Sequence, residues 1–382
     1  MKCKLSDICS FRKGKVEVEN LNAKNYISTE NMLPNKCGIT EASSLPTVSL
    51  TQEYNSGDVL VSNIRPYFKK IWQAEYDGGC SNDVLVFVPK PNTDKDFLYY
   101  VLADDDFFTY SMATSKGTKM PRGDKTSIMQ YEVPLIDLQV QKKIASVLKA
   151  LDERIKLNNE INNNLLEQVL TLYRNRFVDT VNDERRICRA DEYFDISIGK
   201  TPPRKEPQWF STNPQDVTWV SISDMGTCGL YISSSSEQLT REAVDRHNVK
   251  VVPDNTVLLS FKLTVGRIAI TNGEMTTNEA IAHFKTDKKE INEYLYCYLK
   301  CFNYQTMGST SSIATAVNSK IIKGMPFVVP TDNELKEFHD LAAPMFANIK
   351  ANQIETDNLV ALRDTLLPKL MSGELDVLDI DL

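Results

Sequence analysis

The most regular hydrophobic pattern in the chain lies in two long segments, each of which predicts an amphipathic helix. In the first segment the apolar stripe consists of Ile144, Leu148, Leu151, Ile155, Leu165, Val169 and Leu172. In the second it includes Leu335, Phe338, Met345, Ile349, Leu359 and Leu366. A helix of about 40 residues is about 60 Å long and cannot bury such a stripe alone. We therefore expect the two helices to pack together as an antiparallel coiled coil.

Polar residues interrupt both stripes near their centres. Asn158 and Asn162 occupy stripe positions in the first helix, and Asn352 and Thr356 do so in the second. A buried asparagine at such a position sets the register and the choice of partner helix, at some cost in stability. The alternative is that this part of each helix faces solvent or a third protein. The sequence leaves both interpretations open.

Shorter patterns before each long helix predict a mixed α/β module. Runs rich in Val, Ile and Phe, bounded by Gly, Asp and Asn, predict strands. These runs are 58–62, 71–74 and 84–88 in the first half, and 256–261, 267–270 and 280–284 in the second. An aromatic helix follows in each half, at about 94–112 and 290–306, and then a polar loop at 115–126 or 308–323.

The two halves resemble each other in order, which indicates a duplication. LSDICSFRKGK at 5–15 matches ADEYFDISIGK at 190–200, the run 56–62 matches 253–260, and Ile155-Lys156 matches Ile349-Lys350. The predicted fold has two pseudo-symmetric globular α/β modules joined by the two long helices. The expected boundaries are a first module at 1–132, a long helix at 133–180, a second module at 181–328, a second helix at 329–376 and a tail at 377–382.

Composition limits the class of protein. A chain of 382 residues with 42% hydrophobic and 25% charged residues suits two folded modules rather than disorder. The net charge of −7 argues against a chain coated in nucleic acid but permits local basic faces. The absence of a signal-peptide pattern or a membrane-length apolar run, with eight scattered cysteines, predicts a cytoplasmic protein without membrane contact.

No sequence pattern predicts catalysis. A Walker-type loop, a GxSxG elbow and an HExxH pair are all absent from the sequence. Cys297 and Cys301 lie one helical turn apart but lack accompanying ligands, so we expect buried thiols and no metal site. The carboxylates of Asp104, Asp105 and Asp106 are expected to form a solvated helix face.

Basic residues concentrate in loops at matching places of the two halves. Such loops suit phosphate contacts, and Arg, Asn or Gln within them can contact base edges. The alternative is an ordinary solvated surface. The candidate DNA-binding residues are Arg65, Lys69, Lys70, Lys116, Lys119, Arg122 and Lys125 in the first half, and Lys200, Arg204, Lys262, Arg267, Lys320 and Lys323 in the second.

One stretch resembles a known family. GTKMPRGDKTSIMQYEVPLIDLQVQKKIASVLKALD at 117–152 is similar to the specificity (S) subunits of type I restriction-modification enzymes, and LLPKLMSGEL at 366–375 is typical of their end. The second half departs from the pattern. It lacks the Pro-Arg loop, its helix begins Thr331-Asp332-Asn333-Glu334, and Pro344 is expected to interrupt that helix.

The resemblance implies a function without catalysis by this chain. Each module would be a target recognition domain for one half of a bipartite site in double-stranded DNA, and the helices would set the spacer. Two modification (methyltransferase) subunits would bring S-adenosylmethionine, and restriction subunits would bring ATP and Mg²⁺, so no cofactor is expected here. The alternative is a non-catalytic coiled-coil adaptor that binds proteins rather than DNA.

Overall fold

The computed structural model describes residues 2–180, 185–307 and 318–377, which form two compact units. Unit 1 comprises Met1–Ile155 together with Asn358–Leu382, and unit 2 comprises Lys156–Asp357. Each long helix therefore begins in one unit and ends in the other. Residues 308–317 of the predicted second polar loop, residues 181–184 at the predicted start of the second module and residues 378–382 of the predicted tail lie outside the described residues.

Unit 1 contains two four-stranded sheets and one strand pair, ordered β2-β9-β6-β7, β3-β5-β8-β4 and β1-β10. Its strands are β1 (Lys2–Lys4), β2 (Cys9–Phe11), β3 (Lys15–Glu17), β4 (Tyr26–Ile27), β5 (Leu50–Tyr54), β6 (Val59–Ser62), β7 (Ile71–Gln73), β8 (Gly78–Cys80), β9 (Val84–Pro89) and β10 (Glu132–Pro134). The helices that begin here are α1 (Leu5–Ile8), α2 (Lys95–Ala103), α3 (Asp105–Ala113), α4 (Lys125–Ile128) and the long α5 (Leu138–Tyr173).

Unit 2 contains a five-stranded sheet, a four-stranded sheet and a strand pair, ordered β12-β20-β17-β18-β15, β13-β16-β14-β19 and β11-β21. Its strands are β11 (Arg186–Arg189), β12 (Asp195–Ile198), β13 (Phe210–Ser211), β14 (Val217–Val220), β15 (Tyr231–Ile232), β16 (Glu237–Leu239), β17 (Val257–Ser260), β18 (Ile268–Thr271), β19 (Thr276–Thr277), β20 (Ile281–Lys285) and β21 (Pro326–Val329). The helices are α6 (Ala190–Tyr193), α7 (Asp224–Thr227), α8 (Arg241–Arg246), α9 (Asn292–Cys301), α10 (Ser319–Lys323) and the long α11 (Asp332–Ser372).

The two units repeat one topology, which confirms the internal repeat. In unit 1 the order β2-β9-β6-β7 is antiparallel throughout, and β12-β20-β17-β18 repeats it in unit 2. The pair β1–β10 corresponds to β11–β21. A parallel contact closes the second sheet of both units, β4 with β8 and β14 with β19. The six predicted strands are likewise confirmed, each to within one or two residues.

The long helices contribute apolar side chains to the core of each unit. In unit 1, Ile144 and Leu148 of α5 pack in one cluster with Leu367 and Leu370 of α11 and with α2 and α3. In unit 2, Val169 of α5 packs with Phe338 and Ile349 of α11 and with α9. Leu335 of α11 is also buried in unit 2, and the remaining stripe residues are partly buried: Leu151, Ile155, Leu165, Leu172, Met345, Leu359 and Leu366. Among the described residues, no helix is both long and apolar enough to cross a membrane.

The run of three aspartates differs from the expected solvated helix face. Asp104 has extended backbone angles, φ −62° and ψ 140°, and it separates α2 from α3. Its side chain accepts a hydrogen bond from the backbone N–H of Asp106 and so caps α3. Asp105 forms ion pairs with Lys36 and Lys69, at 2.8 and 2.7 Å. The aromatic helix predicted at about 94–112 is therefore two helices, because Asp104 takes an extended conformation and caps α3 instead of continuing α2.

Pro344 does not interrupt the second long helix, so that expectation was wrong. The helix α11 is continuous from Asp332 to Ser372. Proline removes the hydrogen bond to the carbonyl four residues earlier, which belongs to Asp340. Both Pro344 and Asp340 are exposed, so the freed carbonyl lies in a part of the helix that is open to water.

His283 in β20 provides a test of the unit 2 core. The imidazole is fully buried between two hydroxyls, with Ser197 Oγ 2.9 Å from Nδ1 and Thr277 Oγ1 2.7 Å from Nε2. Burial lowers the pKa of His283 from 6.5 to about 3. The unfolded chain therefore binds this proton first as the pH falls. We expect the free energy of unfolding to decrease below pH 6.5, by up to about 1.4 kcal/mol per pH unit.

The measurement is urea unfolding of the wild type and of His283→Gln between pH 7 and pH 5. The variant lacks the titrating group, so its stability should depend less on pH over this range. Equal pH dependence in the two proteins would show that His283 is not held neutral by the fold.

Candidate nucleic-acid interface

Each unit presents a hairpin loop at the same place in its main sheet. In unit 1 the loop 63–70 joins β6 to β7, and in unit 2 the loop 261–267 joins β17 to β18. In both units, the backbone N–H of the last residue of the first strand donates to the carbonyl of the residue just before the second strand. These bonds are Ser62 to Lys70, at 3.0 Å, and Ser260 to Arg267, at 2.9 Å. The loops are therefore structural equivalents, and the unit 2 loop is one residue shorter.

This register corrects the sequence alignment of the basic residues. From the sequence alone, the basic residues that follow the matched runs 56–62 and 253–260 place Lys262 and Arg267 at the positions of Arg65 and Lys69. In the structure Arg267 is equivalent to Lys70, because their carbonyls accept the same strand-end hydrogen bond. The missing residue lies inside the loop, where the sequence offers no marker for it.

A second loop, 115–125, is attached to the first in unit 1. The N–H of Arg65 donates to the Pro121 carbonyl at 2.8 Å, and the N–H of Gly123 donates to the Asn63 carbonyl at 3.1 Å. A Cβ atom at Gly123 would lie 2.7 Å from the Asn63 side-chain oxygen, so any larger residue would have to displace that side chain. We call the loops 63–70 and 115–125 together the unit 1 tip.

Many cations of the unit 1 tip already have partners within the protein. Arg122 pairs with Asp83 at 3.1 Å. Lys116 pairs with Asp124 at 2.6 Å, and this hydrogen bond lowers the pKa of Asp124 to about 2. The Lys125 ammonium lies 5.8 Å from the Phe11 ring centre.

The loop 63–70 itself carries cations beside exposed aromatic rings. Lys69 pairs with Asp105, and Lys70 donates to the Thr29 carbonyl at 2.6 Å, where burial lowers the pKa of Lys70. Tyr67 and Phe68 are exposed, with ring centres 4.6 Å apart. Lys119 is exposed at the outer turn of the second loop. Cations and aromatic rings thus share one surface, a composition suited to phosphates and bases.

The loop 261–267 meets residues from two other segments in unit 2. The hydroxyl of Thr201 donates to the Glu279 carboxylate. Burial acts to raise the pKa of Glu279, but the Thr201 hydrogen bond and the charges of Lys262 and Arg204 outweigh it, so the pKa is lowered. We call the loop 261–267 with Thr201 and Glu279 the unit 2 tip.

Other predicted cations of unit 2 are bound within the protein. Lys200 donates to the His247 carbonyl at 2.6 Å, and Arg267 donates to the Ile222 carbonyl at 2.6 Å. Arg204 contacts both Glu237 oxygens, at 2.9 and 2.8 Å. Lys320 and Lys323 lie on α10, which packs against α6, and the charge of Lys323 acts on Asp191 there. The structure thus brings Lys262 and Arg204, but not the α10 lysines, towards Glu279.

Sequence reasoning missed three residues that lie in the tips or contact them. Asp83 and Glu279 are the last residues of two short polar runs that match between the halves, 81–83 and 277–279, and each receives a partner from a loop of its unit. That match was visible in the sequence, although the contacts were not. Leu263 is the third, and no sequence signal marked it. Among the described residues, no cluster of three or more His, Cys, Asp or Glu side chains is placed to hold a metal ion.

Comparison with known proteins identifies the family. The model of the family described as "Type I restriction modification DNA specificity domain" matches residues 1–167 and again residues 184–356. The chain belongs to this family of type I specificity subunits. It carries one DNA specificity domain in each half and is a DNA sequence-recognition subunit with two target recognition domains.

Two curated relatives match most of the specificity subunit. The HindI specificity subunit of Haemophilus influenzae is 22% identical over 435 residues, covering 92% of this chain and 94% of the relative. The MjaIX specificity subunit of Methanocaldococcus jannaschii is 25% identical over 319 residues, covering 76% and 71%. The crystal structure of a type I S subunit from M. genitalium shares the fold, with a TM-score of 0.57 at 15% identity and coverage of 97% and 96%.

Replacing Arg204 with alanine should destabilise unit 2 rather than change its DNA contacts. The guanidinium lies 4.2 Å from the Phe210 ring centre and 4.7 Å from that of Trp219, and it binds Glu237 with two hydrogen bonds. Because the group is half exposed, we expect a loss of about 1 kcal/mol in the free energy of unfolding.

Urea unfolding measures this loss. Lys205→Ala, at the exposed neighbouring residue, is the control and should change stability by less than about 0.5 kcal/mol. Weaker DNA binding by Arg204→Ala at unchanged stability would instead place the guanidinium on phosphate.

Proposed function

We propose that the two tips of this specificity subunit bind the two halves of a bipartite site in double-stranded DNA. The observation that carries the proposal is the repetition of one hairpin loop, at one place in each sheet, with different side chains on it. Equivalent loops suit equivalent approaches to the duplex. Different side chains, such as Arg65 and Leu263, suit two different half-site sequences.

We further propose that α5 and α11 pair as an antiparallel coiled coil. In unit 2, Asn158 donates to Glu355 at 3.0 Å, and Asn352 donates to Asn162 at 2.9 Å. In unit 1, Arg363 pairs with Asp152 at 2.8 Å. Residue numbers rise along one helix as they fall along the other, which supports the antiparallel direction.

The central asparagines then set the register of the helix pair. Asn158 is fully buried, and its amide nitrogen is bound by a carboxylate of the other helix. These contacts favour the register interpretation over exposure of the helix centre to solvent.

With 36 and 41 residues, the helices extend about 54 and 62 Å. Their length would set the spacer between the half-sites.

Chemistry is assigned to partner subunits rather than to this chain. Two methyltransferase subunits would dock on the repeated structure and supply S-adenosylmethionine, and restriction subunits would supply ATP with Mg²⁺. The near-repetition of units supports two identical partners, because equivalent surfaces bind equivalent proteins. In this assembly the chain recognises the DNA sequence and performs no catalysis.

Replacing Lys119 and Arg122 together with alanine tests the unit 1 tip. Each phosphate contact contributes about 0.9 to the slope of log K against log salt concentration, so loss of two contacts should reduce that slope by about two. The measurement is gel-shift titration at several salt concentrations, with the methyltransferase partner present and duplexes selected from a random pool.

The matched control replaces Lys2 and Lys149, two cations of unit 1 that pair with Glu132 and Asp96 away from the tip. The control should leave the slope unchanged. An unchanged slope in the Lys119 and Arg122 variant would remove this loop from the interface. If the wild type gives no salt-sensitive, sequence-selective complex, the DNA assignment fails and the protein-adaptor alternative takes its place.

Shortening the helices tests their role in spacing. We would delete seven residues between Asp152 and Asn162 in α5 together with seven between Asn352 and Arg363 in α11. Any such deletion removes Asn158 and its contact with Glu355, so the flanking contacts, Asp152 with Arg363 and Asn162 with Asn352, are kept to hold the register. The paired deletion removes about 10.5 Å of helix, or about three base pairs of spacer.

Selection from a random duplex pool measures the result. The preferred spacer should shorten while both half-sites stay the same. A deletion in α5 alone is the control and should abolish selective binding, because it mismatches the two helices. A changed half-site in the paired deletion would contradict a purely measuring role.

A further inference from the structure

Leu263, at the outer turn of the unit 2 tip, is the most exposed large apolar residue among those the structure describes. Its exposed fraction is 98%, and its φ is +61°. The N–H of Thr264 donates to the Lys262 carbonyl at 2.7 Å, so Leu263 is the central residue of a three-residue γ-turn. With positive φ this turn is rare and strained. Glycine or asparagine would adopt it at lower energy, yet the position holds leucine.

The turn is held in place by one buried residue. The hydroxyl of Ser260 donates to the Thr264 carbonyl at 2.6 Å and accepts from the N–H of Arg267 at 3.0 Å. The Ser260 carbonyl accepts from the N–H of Gly266 at 3.0 Å, and Ser260 itself is fully buried. These bonds fix the loop on both sides of Leu263. The leucine is therefore held outward on a rigid support.

Cations flank this leucine. The Lys262 ammonium lies 5.7 Å from the Phe261 ring centre, and its charge reaches Glu279. Arg267 is anchored to the Ile222 carbonyl at the base of the loop. In unit 1 the third residue after the equivalent strand end, Ser62, is Arg65, which also has a positive φ of 51°. At this distance from the strand end, a residue with positive φ is thus a cation in unit 1 and an apolar residue in unit 2.

We infer that Leu263 inserts between two adjacent base pairs of the half-site bound by unit 2 and partly unstacks them. The inference rests on the proposed function. Leucine is among the side chains that proteins use as wedges to kink DNA. A wedge needs a rigid support and neighbouring phosphate contacts. Ser260 provides the support, and Lys262 provides the cation for a phosphate contact. The solvent exposure and the strained turn, both unfavourable in the free protein, have a role in such a complex.

The inference also constrains the DNA sequence. Pyrimidine–purine steps unstack and kink more easily than other steps. The half-site of unit 2 should therefore contain a TA, CA or TG step where Leu263 enters. The half-site of unit 1, which meets Arg65, has no such requirement.

The test uses the full chain with its methyltransferase partner and a duplex that the wild type has selected from a random pool. DNA bending is measured by energy transfer between dyes on the duplex ends. Unstacking is measured by 2-aminopurine fluorescence at each step of the half-site. The variants are Leu263→Asn, which suits positive φ but is polar, and Leu263→Met, which stays apolar. Val251→Asn, at another exposed apolar residue of unit 2, is the control.

We expect Leu263→Asn to lower the 2-aminopurine signal at one step at least fivefold and to reduce bending. Its salt slope and both half-sites should be unchanged, since the cations remain. Leu263→Met and Val251→Asn should behave as wild type. Because Leu263 is fully exposed, thermal stability of Leu263→Asn should not fall.

Three outcomes would overturn the inference. Equal distortion by Leu263→Asn and wild type would exclude the wedge while the proposed function stands. A selective wild-type complex without distorted steps would do the same. No selective wild-type complex at all would overturn the proposed function and the wedge together.

Discussion

The structure depends on the need of two long amphipathic helices to cover their apolar faces. Neither helix can fold alone in water, because its stripe would stay exposed along more than 50 Å. The core of unit 1 covers Ile144 and Leu148 of α5, and the core of unit 2 covers Val169. The corresponding parts of α11 are covered in the same way. The helices are therefore structural parts of both units rather than linkers between them.

Duplication and divergence act on different parts of each unit. The strand order, the β1–β10 type of pair and the strand-end hydrogen bond of the hairpin recur in both units. The loop side chains do not recur: the carboxylates of Asp83 and Glu279 occupy equivalent places, but Arg122 binds the first and Thr201 binds the second. The sheet framework can therefore stay constant while the surface loops that it carries change.

The sequence predicted elements better than it predicted the interface. Strands such as Val59–Ser62 were predictable because runs of β-branched and aliphatic residues have few alternatives in a folded core. The break at Asp104 was not, since capping competes with an aromatic helix pattern that spans it. The structural equivalence of Arg267 in unit 2 and Lys70 in unit 1 depends on a one-residue gap between the two loops, which only the backbone hydrogen bonds reveal. Leucine has no preference for positive φ, so the turn at Leu263 left no trace in the sequence.

The division of the chain also determines an order of events during synthesis. Unit 2 is one continuous segment, Lys156–Asp357, whereas unit 1 needs residues from both sides of it. Leu367, Leu370, Met371 and Val377 pack in the core of unit 1, yet the ribosome adds them after all of unit 2. The first half of the chain must therefore wait with part of its apolar surface uncovered. A nascent chain in that state is a natural substrate for chaperones, and its core closes only through contacts between residues more than 200 positions apart.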